Sequence, residues 1–433
     1  MANHQSPITN HQSPVTNHQS PITRLKVMTV VGTRPEIIRL SATIKLLDKY
    51  TDQVFVHTGQ NYDYELNEIF FDDLGLRKPD HFMNVSRDSL GAAIGDIFKK
   101  TEEIIELEKP DALLVLGDTN SCLSAYMAKR KHIPIFHMEA GNRSFDFNVP
   151  EEINRRIIDH IADFNLVYTE HARRHLISEG LPHRRIYLTG SPMWEVLQQN
   201  MEKINQSNIL EVLSEQIGAK RQNPRKSVKS AYDQGSSAFH LSPRGYFMVS
   251  VHREENVDNP DNLKKILTIL NTLAEQYKLP VIVTTHPRTR KRIEDLRKSV
   301  KSASSVFQKN PLIYYMKPFG FTDYIALQKN ALCTISDSGT ISEESAMLGF
   351  PAISLRQSME RPEAQDAGTI ILTGFEPDVV LNAIATVIDE HQSPITSHQS
   401  PTEYQINNTS WRVVKLILGN TKLSNKWWGI NEI

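Results

Sequence analysis

Long apolar runs, cysteines and an excess of one charge are scarce or missing in this sequence. The chain has no apolar run of about 18 or more residues, so a transmembrane helix is not expected, and its polar start does not form a signal segment. The two cysteines, Cys122 and Cys333, lie far apart, which argues against a disulfide framework and for a reducing cytoplasm. The formal net charge is -1, so no global field attracts nucleic acid or a membrane. These absences predict a soluble, cytoplasmic globular protein that would bind an acidic ligand through local clusters.

The length and the repeats indicate how the chain is organised. With 433 residues it is too long for one ordinary core, and we expect two domains. Copies of His-Gln-Ser-Pro begin at His4, His11, His18, His391 and His398. Their prolines exclude a coiled coil, so a disordered repeat tail (1–24) and an inserted repeat loop (391–405) are expected, with a His-rich metal-binding tract as the alternative. The basic stretch 219–245 is interpreted as another insertion rather than as a phosphate-binding loop.

Apolar, β-branched runs alternate with helical patterns along the rest of the chain. The runs are 25–33, 52–59, 111–119, 133–141, 164–170 and 185–192, then 246–252, 280–287, 312–318, 331–339 and 351–356. This alternation is typical of buried parallel strands. Two series predict two doubly wound Rossmann-like domains, 25–195 and 196–390, with a last helix in 406–433 returning to the first. Polar residues follow the strand ends, the edge at which open α/β sheets bind ligands.

The stretch TISDSGTISEESAMLGFPAI, residues 334–353, has the parts of a nucleotide site. Asp337 and Ser338 are predicted to cap a helix, and Gly339 allows the backbone to approach a ligand closely. The helix start would suit a diphosphate, and Glu344 could accept hydrogen bonds from a ribose. The alternative is an ordinary capped helix with a favourable charge. Arg361 in SMERPEA could hold a phosphate through a bidentate contact.

The corner after the first predicted strand also indicates an anion. Gly32-Thr33-Arg34-Pro35 ends that strand, and Pro35 is predicted to be the first helical residue. Arg34 would then point into the cleft, or else form a salt bridge to Glu36. The pattern is not GxGxxG, so it does not favour a dinucleotide.

Three carboxylates and two histidines follow predicted strands or begin a helix. Asp118, Glu139 and Glu151 would each, alone, be interpreted as a cap or an ion-pair partner; together at one edge they suggest acid–base chemistry. His252 and His286 follow strands of the second series and would face the predicted phosphate site. Their spacing does not favour zinc.

Taken together, these stretches resemble the non-hydrolysing UDP-N-acetylglucosamine 2-epimerase family. Its motifs occur in order over residues 25–390: GTRPE, GDT, EAG, PEE.NRR, HREEN, THP, DSG..SEE and ERPEA..AGT. The resemblance implies a GT-B-like α/β fold of two Rossmann-like domains, with a UDP-sugar substrate in the cleft between them. It also implies a homodimer and a reaction that requires neither a metal nor a redox cofactor.

The resemblance further assigns roles to individual residues. It implies catalytic roles for Asp118, Glu139, Glu151 and His252. It implies substrate-binding roles for Arg34, Arg39, His286, Ser338, Gly339, Thr340, Glu344 and Arg361. The family has lysine at the position of Arg39 and a second glycine at that of Thr340. It typically reads TGQH where this chain has Asn61, a departure in the region that helps form an activating second UDP-sugar site in the family, so whether a second UDP-sugar activates this chain stays open.

Two stretches point to one branch of the family. GNRSFDFNVPEEINRRIIDH and TGSPMWEVL look closer to enzymes that convert UDP-2-acetamido-2,6-dideoxy-L-talose to UDP-N-acetyl-L-fucosamine for capsule or O-antigen synthesis. The alternatives are the parent UDP-N-acetylglucosamine epimerase, a hydrolysing epimerase and a GT-B glycosyltransferase. A nucleotide-sugar sensor without turnover is a further alternative.

Overall fold

The computed structural model describes residues 24–59, 71–222, 239–285, 289, 292–293, 310–393 and 400–430. Several predictions lie outside these residues: the tail repeats, most of the 219–245 insertion, Asn61 and His286. Within the described part of the chain, every helix is too short or too polar to cross a membrane. Both cysteines are buried and free, which agrees with the expectation that they form no disulfide.

The first sheet is parallel and has seven strands among the described residues. They are β1 Lys26–Val31, β2 Asp52–His57, β3 His81–Phe82, β4 Ala112–Leu116, β5 Ile135–Met138, β6 Phe164–Val167 and β7 Ile186–Leu188. Their spatial order is β3-β2-β1-β4-β5-β6-β7. The helices around it are α1 Arg34–Tyr50, α2 Leu90–Glu108, α3 Ser124–Arg130, α4 Pro150–Ile161 and α5 Glu170–Ser178. The order reverses between β1 and β4, which makes their carboxyl ends a topological switch point.

The second sheet is also parallel and has six strands. They are β8 Phe247–Ser250, β9 Val281–Thr284, β10 Ile313–Met316, β11 Cys333–Ser336, β12 Ala352–Ser354 and β13 Ile371–Leu372. Their order is β10-β9-β8-β11-β12-β13, with the switch point between β8 and β11. The helices after β7 are α6 Met193–Asn205, α7 Ile209–Gln222, α8 Glu254–Val257, α9 Pro260–Tyr277, α10 Phe321–Asn330, α11 Ile341–Leu348, α12 Pro362–Asp366, α13 Pro377–Gln392 and α14 Thr409–Trp427. The prediction of two parallel-sheet α/β units of GT-B-like form is confirmed.

Burial explains why the strands read as continuous apolar runs. Nearly every residue of β1, β4, β5 and β8 is buried, because helices cover both faces of each sheet. The polar residues that follow these strands therefore emerge only at the carboxyl edges. These edges contain the predicted site residues.

The last helix, α14, packs on α1 of the first sheet. Trp411 of α14 lies 5.3 Å from Tyr50, measured between ring centroids. The hydroxyl of Thr409 donates to the backbone carbonyl of Thr189 at 3.0 Å. The chain therefore returns to the first sheet after completing the second.

Candidate active site

The corner after β1 is built by a helix cap. The carboxylate of Glu36 accepts hydrogen bonds from the backbone N–H of Gly32 at 3.0 Å and from that of Thr33 at 2.7 Å. The Ser121 hydroxyl also donates to it, and burial raises the pKa of Glu36. Helix α1 begins at Arg34, one residue before the predicted Pro35. This cap places Arg34, which is half-buried, at the switch point. The carboxylate of Glu36 is occupied by the hydrogen bonds of the cap.

Asp118 lies just beyond β4 and pairs with Arg155 of α4. Burial raises the pKa of Asp118 to about 7, against the opposing charge of Arg155, and Glu360, Glu139 and Glu151 add to the rise. Arg155 is 1% exposed. Asp118 is therefore a carboxyl that gains and loses a proton near neutral pH.

Glu139 follows β5, next to Asp118 in the sheet order, and is buried. It pairs with Arg39 and lies 2.8 Å from Nη2 of Arg361. Burial alone would raise the pKa of Glu139, but these arginines hold it below its usual value. Two neighbouring carboxyl groups thus have pKa values displaced in opposite directions. Environments that separate two such values are typical of acid–base pairs.

Glu343, a residue that sequence reasoning did not select, connects the two domains. It is fully buried and lies 3.0 Å from Nη2 of Arg39 and 3.1 Å from Nε of Arg361. The hydroxyl of Ser191 donates to it at 2.5 Å. Arg39 and Ser191 belong to the first domain, whereas Glu343 and Arg361 belong to the second. These contacts therefore hold the carboxyl edges of the two sheets together.

Asp337 does not cap helix α11, contrary to the prediction. Its carboxylate accepts the backbone N–H groups of His252 at 3.0 Å and Arg253 at 2.9 Å, and the amide of Asn256 at 2.8 Å. Nδ1 of His252 lies 3.0 Å from it. Burial would raise the pKa of Asp337, but His252 and these donors lower it. Asp337 therefore orients the half-exposed His252 at the switch point of the second sheet.

Ser338, Gly339 and Thr340 form the turn before α11, with Thr340 in the cap position. The hydroxyls of Ser338 and Thr340 lie 2.9 Å apart, and Nη1 of Arg361 donates to the carbonyl of Gly339 at 2.9 Å. A Cβ atom on Gly339 would lie 2.9 Å from the same Nη1. The residues that line a narrow depression here are Ser338, Gly339, Ser342, Ser354, Arg356, Met359, Glu360 and Arg361. The turn offers hydroxyl groups and an arginine to an anion.

Glu344 lies one turn into α11, as expected, and is buried. It accepts a hydrogen bond from the amide of Gln328 at 2.9 Å, and burial raises its pKa. Its role in binding a ribose stays a prediction.

Four charged residues of the site escaped the sequence analysis: Arg155, Glu343, Arg356 and Glu360. The carboxylate of Glu360 lies 2.8 Å from Arg356 and 3.3 Å from Arg155. A signal existed for Arg155, since it follows Glu151 by four residues and so lies on the same helix face. Glu343 and Glu360 lie in the quoted motifs SEE and ERPEA, but no local pattern indicates their ion pairs, and none distinguishes Arg356, which lies between a strand and a helix.

The turn that carries Glu139 provides a stability prediction. Gly141 has φ +79°, and a Cβ atom there would lie 2.4 Å from the backbone carbonyl oxygen of Ala172. Gly141→Ala is expected to lower the free energy of unfolding by about 3 kcal/mol, because it adds overpacking to the cost of a left-handed backbone. Urea denaturation of the purified variant measures this loss.

Gly180→Ala is the matched control for this prediction. Gly180 has φ +86°, but a Cβ atom there meets nothing within 4 Å. This variant should therefore lose only about 1 kcal/mol, from backbone strain. Equal losses in the two variants would show that the contact with Ala172 is not what requires glycine.

The fold is that of a two-domain α/β enzyme in which buried carboxyl groups of the first domain lie across from the turn of Ser338, Gly339 and Thr340, with Arg361 in contact with both. Residues 45–418 match the family described as UDP-N-acetylglucosamine 2-epimerase, and this chain belongs to that family. A relative of that name from Methanococcus maripaludis is 34% identical, over 85% of this chain and 93% of the relative. The chain is therefore a non-hydrolysing epimerase that acts at C2 of a UDP-sugar.

Two solved structures of the family have the same fold. UDP-N-acetylglucosamine 2-epimerase from Rickettsia bellii is 45% identical with a TM-score of 0.81, covering 94% of this chain and all of that one. The enzyme from Methanocaldococcus jannaschii, solved with UDP-GlcNAc and UDP, is 30% identical with a TM-score of 0.77. That comparison covers 91% of this chain and 99% of the other.

Proposed function

We propose that this chain inverts C2 of a UDP-2-acetamido sugar by eliminating UDP and adding it back. The observation that carries the proposal is the pair of neighbouring carboxyl groups, Asp118 and Glu139, whose pKa values are displaced upward and downward. Inversion at C2 requires a group that removes a proton and another that returns one to the opposite face. Near neutral pH this pair supplies one ionised and one protonated carboxyl.

Elimination is the route that the substrate chemistry requires. The C2 proton of such a sugar is not next to a carbonyl, so its direct removal leaves an unstabilised carbanion. When the C1–O bond to UDP breaks as the C2 proton leaves, the electron pair of the C2–H bond becomes the C1–C2 double bond of a glycal. UDP then adds back to C1 while C2 takes a proton on its other face.

In this mechanism Glu139 is the base and Asp118 the acid in one direction, and their roles exchange in the reverse direction. Glu151, half-buried at the start of α4, places a further carboxylate near Asp118. His252 lies at the facing edge, where Asp337 orients it. Preorganised charges of this kind stabilise a transition state because they need not reorganise as charge develops.

The departing UDP is held by the turn of Ser338, Gly339 and Thr340 and by the arginines around it. Arg361 contacts the turn at Gly339 and reaches Glu139 with its other nitrogen. Arg34, at the switch point of the first sheet, would add a positive charge from the first domain. Closure of the cleft by ion pairs would exclude water while the glycal exists, so that UDP rather than water adds to C1.

We further propose UDP-2-acetamido-2,6-dideoxy-L-talose as the substrate, with UDP-N-acetyl-L-fucosamine as the product. The two stretches that resemble this branch, 141–160 and 189–197, support it. UDP-N-acetylglucosamine is the second candidate, because the named relatives and the ligand-bound structure favour it. A homodimer and a role in capsule or O-antigen synthesis belong to the same proposal.

The test is NMR of the purified protein in deuterated water with each of the two UDP-sugars. Deuterium at C2 of an intact, epimerised UDP-sugar is expected, because the glycal takes its proton from a group that exchanges with solvent. Exchange only with the glucosamine compound would transfer the assignment to that substrate. Binding without exchange of either compound, with turnover appearing only after an acceptor is added, would favour a glycosyltransferase.

The pH dependence of exchange provides a separate prediction. Burial raises the pKa of Asp118 to about 7, so this carboxyl is protonated below that pH and ionised above it. Because the proposed mechanism needs Asp118 protonated when Glu139 is the base, kcat in that direction should fall as the pH rises through about 7. Initial-rate measurements in both directions, each on its own saturating UDP-sugar, test this, because kcat should rise with pH in the reverse direction, where Asp118 must be ionised. A kcat that falls through about pH 7 in neither direction would contradict the assignment of Asp118 as the acid.

A further inference from the structure

His137 is a buried residue that the reaction described above does not use. It lies on β5, two residues before Glu139, and its side chain is fully buried. Nε2 of its ring lies 2.7 Å from the backbone carbonyl oxygen of Gly117, the residue before Asp118. Nδ1 lies 2.9 Å from a carboxylate oxygen of Asp159 on α4. One ring thus connects the strand end that carries Asp118 to the helix behind it.

The two groups next to this ring are both acceptors. A backbone carbonyl can only accept a hydrogen bond, so Nε2 carries a proton. Nδ1 lies within ion-pair distance of Asp159 without a well-aligned hydrogen bond to it, and a proton on Nδ1 would make His137 an imidazolium beside that carboxylate. The charges around it are Asp159, which Arg143 approaches to 2.6 Å, and Glu179, which lies 2.7 Å from Arg143. Within this buried chain, positive and negative charges alternate, as buried charges require.

Asp159 also controls the turn after β5. Its two carboxylate oxygens each lie 3.2 Å from the backbone nitrogen of Gly141, which donates to them. Nδ1 of His175 lies 2.9 Å from the carbonyl oxygen of Gly141. The turn needs such support because Glu139 itself has φ +61°. A left-handed backbone at a residue other than glycine costs about 1 kcal/mol or more and persists only where its surroundings determine it.

We propose that the His137–Asp159 ion pair is a positioning unit that sets the separation and orientation of Asp118 and Glu139. The pair acts through the backbone on both sides of the site: His137 holds the carbonyl of Gly117, and Asp159 holds the N–H of Gly141. Neither side chain touches the sugar. The inference rests on the proposed roles of Asp118 and Glu139, but its first test does not depend on turnover.

The first test is the protonation of His137 by ¹⁵N NMR of the histidine rings, at mildly alkaline pH. His57 is an internal control in the same spectrum, because it is equally buried but its Nδ1 accepts the backbone N–H of Gly59 at 2.9 Å. Burial lowers the pKa of His57 to about 4. We expect two protonated nitrogens for His137 and one for His57; His137→Gln and His57→Gln assign the signals. A neutral His137 would overturn the proposal.

The second test is Asp159→Asn, which removes the charge and keeps nearly the same shape. In this variant His137 should keep its proton on Nε2, lose the one on Nδ1, and appear neutral in the same NMR experiment. The kcat for C2 exchange should fall by about 10- to 100-fold, the usual effect of removing a group that orients a site residue. The KM should change by less than about twofold, since no substrate contact is removed.

Three results would contradict the positioning role. One is an unchanged kcat in Asp159→Asn; another is a kcat that falls only in proportion to the folded fraction measured by circular dichroism. The third is a fall in kcat while His137 stays doubly protonated, because the charge of Asp159 would then not be what holds the ring. His57→Gln should leave kcat unchanged per folded molecule. If the wild-type enzyme exchanged neither UDP-sugar while His137 was doubly protonated, the proposed function would fail and the ion pair would stand.

Discussion

Glu139→Gln is expected to lower the rate of C2 deuterium exchange by about a thousandfold, the middle of the range for losing a general acid or base. Glutamine has the size of glutamate and can still accept a hydrogen bond from Arg39, but it cannot take a proton. UDP affinity should stay within a few-fold of the wild-type value, because the turn at Ser338 and Gly339 is unchanged. Exchange is measured by NMR and UDP binding by calorimetry.

Asp163→Asn is the matched control for Glu139→Gln. Asp163 is also a buried carboxylate, paired with Lys129 at 2.8 Å and accepting the indole N–H of Trp428 at 2.6 Å. It precedes β6, at the sheet edge opposite the site. The control should lose stability but keep its exchange rate. If Glu139→Gln exchanged within tenfold of the wild type, Glu139 could not be the base in either direction.

Arg361→Gln is expected to have the largest effect on stability. Arg361 is 3% exposed and pairs with two buried carboxylates, Glu139 at 2.8 Å and Glu343 at 3.1 Å. Removing one partner of a buried ion pair leaves the remaining charge uncompensated, at a cost of about 3 to 5 kcal/mol. We therefore expect the free energy of unfolding without ligand to fall by about 3 kcal/mol or more, measured in urea.

UDP affinity should fall as well in Arg361→Gln. A hydrogen bond to a charged group contributes about 1.5 to 3 kcal/mol, which corresponds to a loss of about 10- to 100-fold in affinity. Calorimetry at a temperature where the variant is folded measures this loss. An affinity equal to that of the wild type would place UDP away from Arg361.

Arg77→Gln provides the comparison for Arg361→Gln. Arg77 pairs with Asp48 and Asp80, both at 2.8 Å, but all three side chains are about a third exposed or more. Exposed pairs contribute about 0 to 1 kcal/mol. The control should therefore be nearly as stable as the wild type and bind UDP normally. A similar loss in both variants would mean that burial of the Arg361 pairs is not responsible.

The cluster of buried charges also suggests how substrate binding and closure are linked. Arg39 and Arg155 of the first domain reach Glu343 and Glu360 of the second. These pairs form only when the two sheet edges face each other. Because Arg361 comes from the second domain, the lowered pKa of Glu139 depends on the same approach. An open cleft would therefore remove the charge of Arg361 from Glu139 and expose the carboxylate of Glu139 to water.

Much of the site could be predicted from local sequence. The alternation of apolar runs and helical patterns identified both sheets, since each strand is buried on two faces and each helix on one. The polar residues after the runs identified the edge of the sheets where Asp118, Glu139 and His252 lie. These inferences depend only on residues a few positions apart, because the side-chain periodicity of a strand or a helix is visible within a few consecutive residues.

Other assignments failed because the sequence does not show which hydrogen-bond donor or charged group pairs with which acceptor. Asp337 is a residue type favoured at helix caps and precedes helix α11. Its carboxylate instead accepts backbone hydrogen bonds from the turn after β8, and Thr340 takes the cap position. Arg155 lies in a motif that was recognised, but its contact with Asp118 was not. Both outcomes depend on a neighbouring strand that is distant in sequence.

By itself, the sequence determined the two parallel sheets, the edge that carries the chemistry and the set of residue types available there. Only the tertiary structure decided that Arg39, Glu139, Glu343 and Arg361 meet, and that Asp118 and Glu139 have pKa values displaced in opposite directions. The physical reason is that strand and helix patterns arise from near neighbours. A pKa or a buried ion pair depends instead on burial and on charges that approach from residues distant in the sequence, such as Arg155 for Asp118 and Arg361 for Glu139.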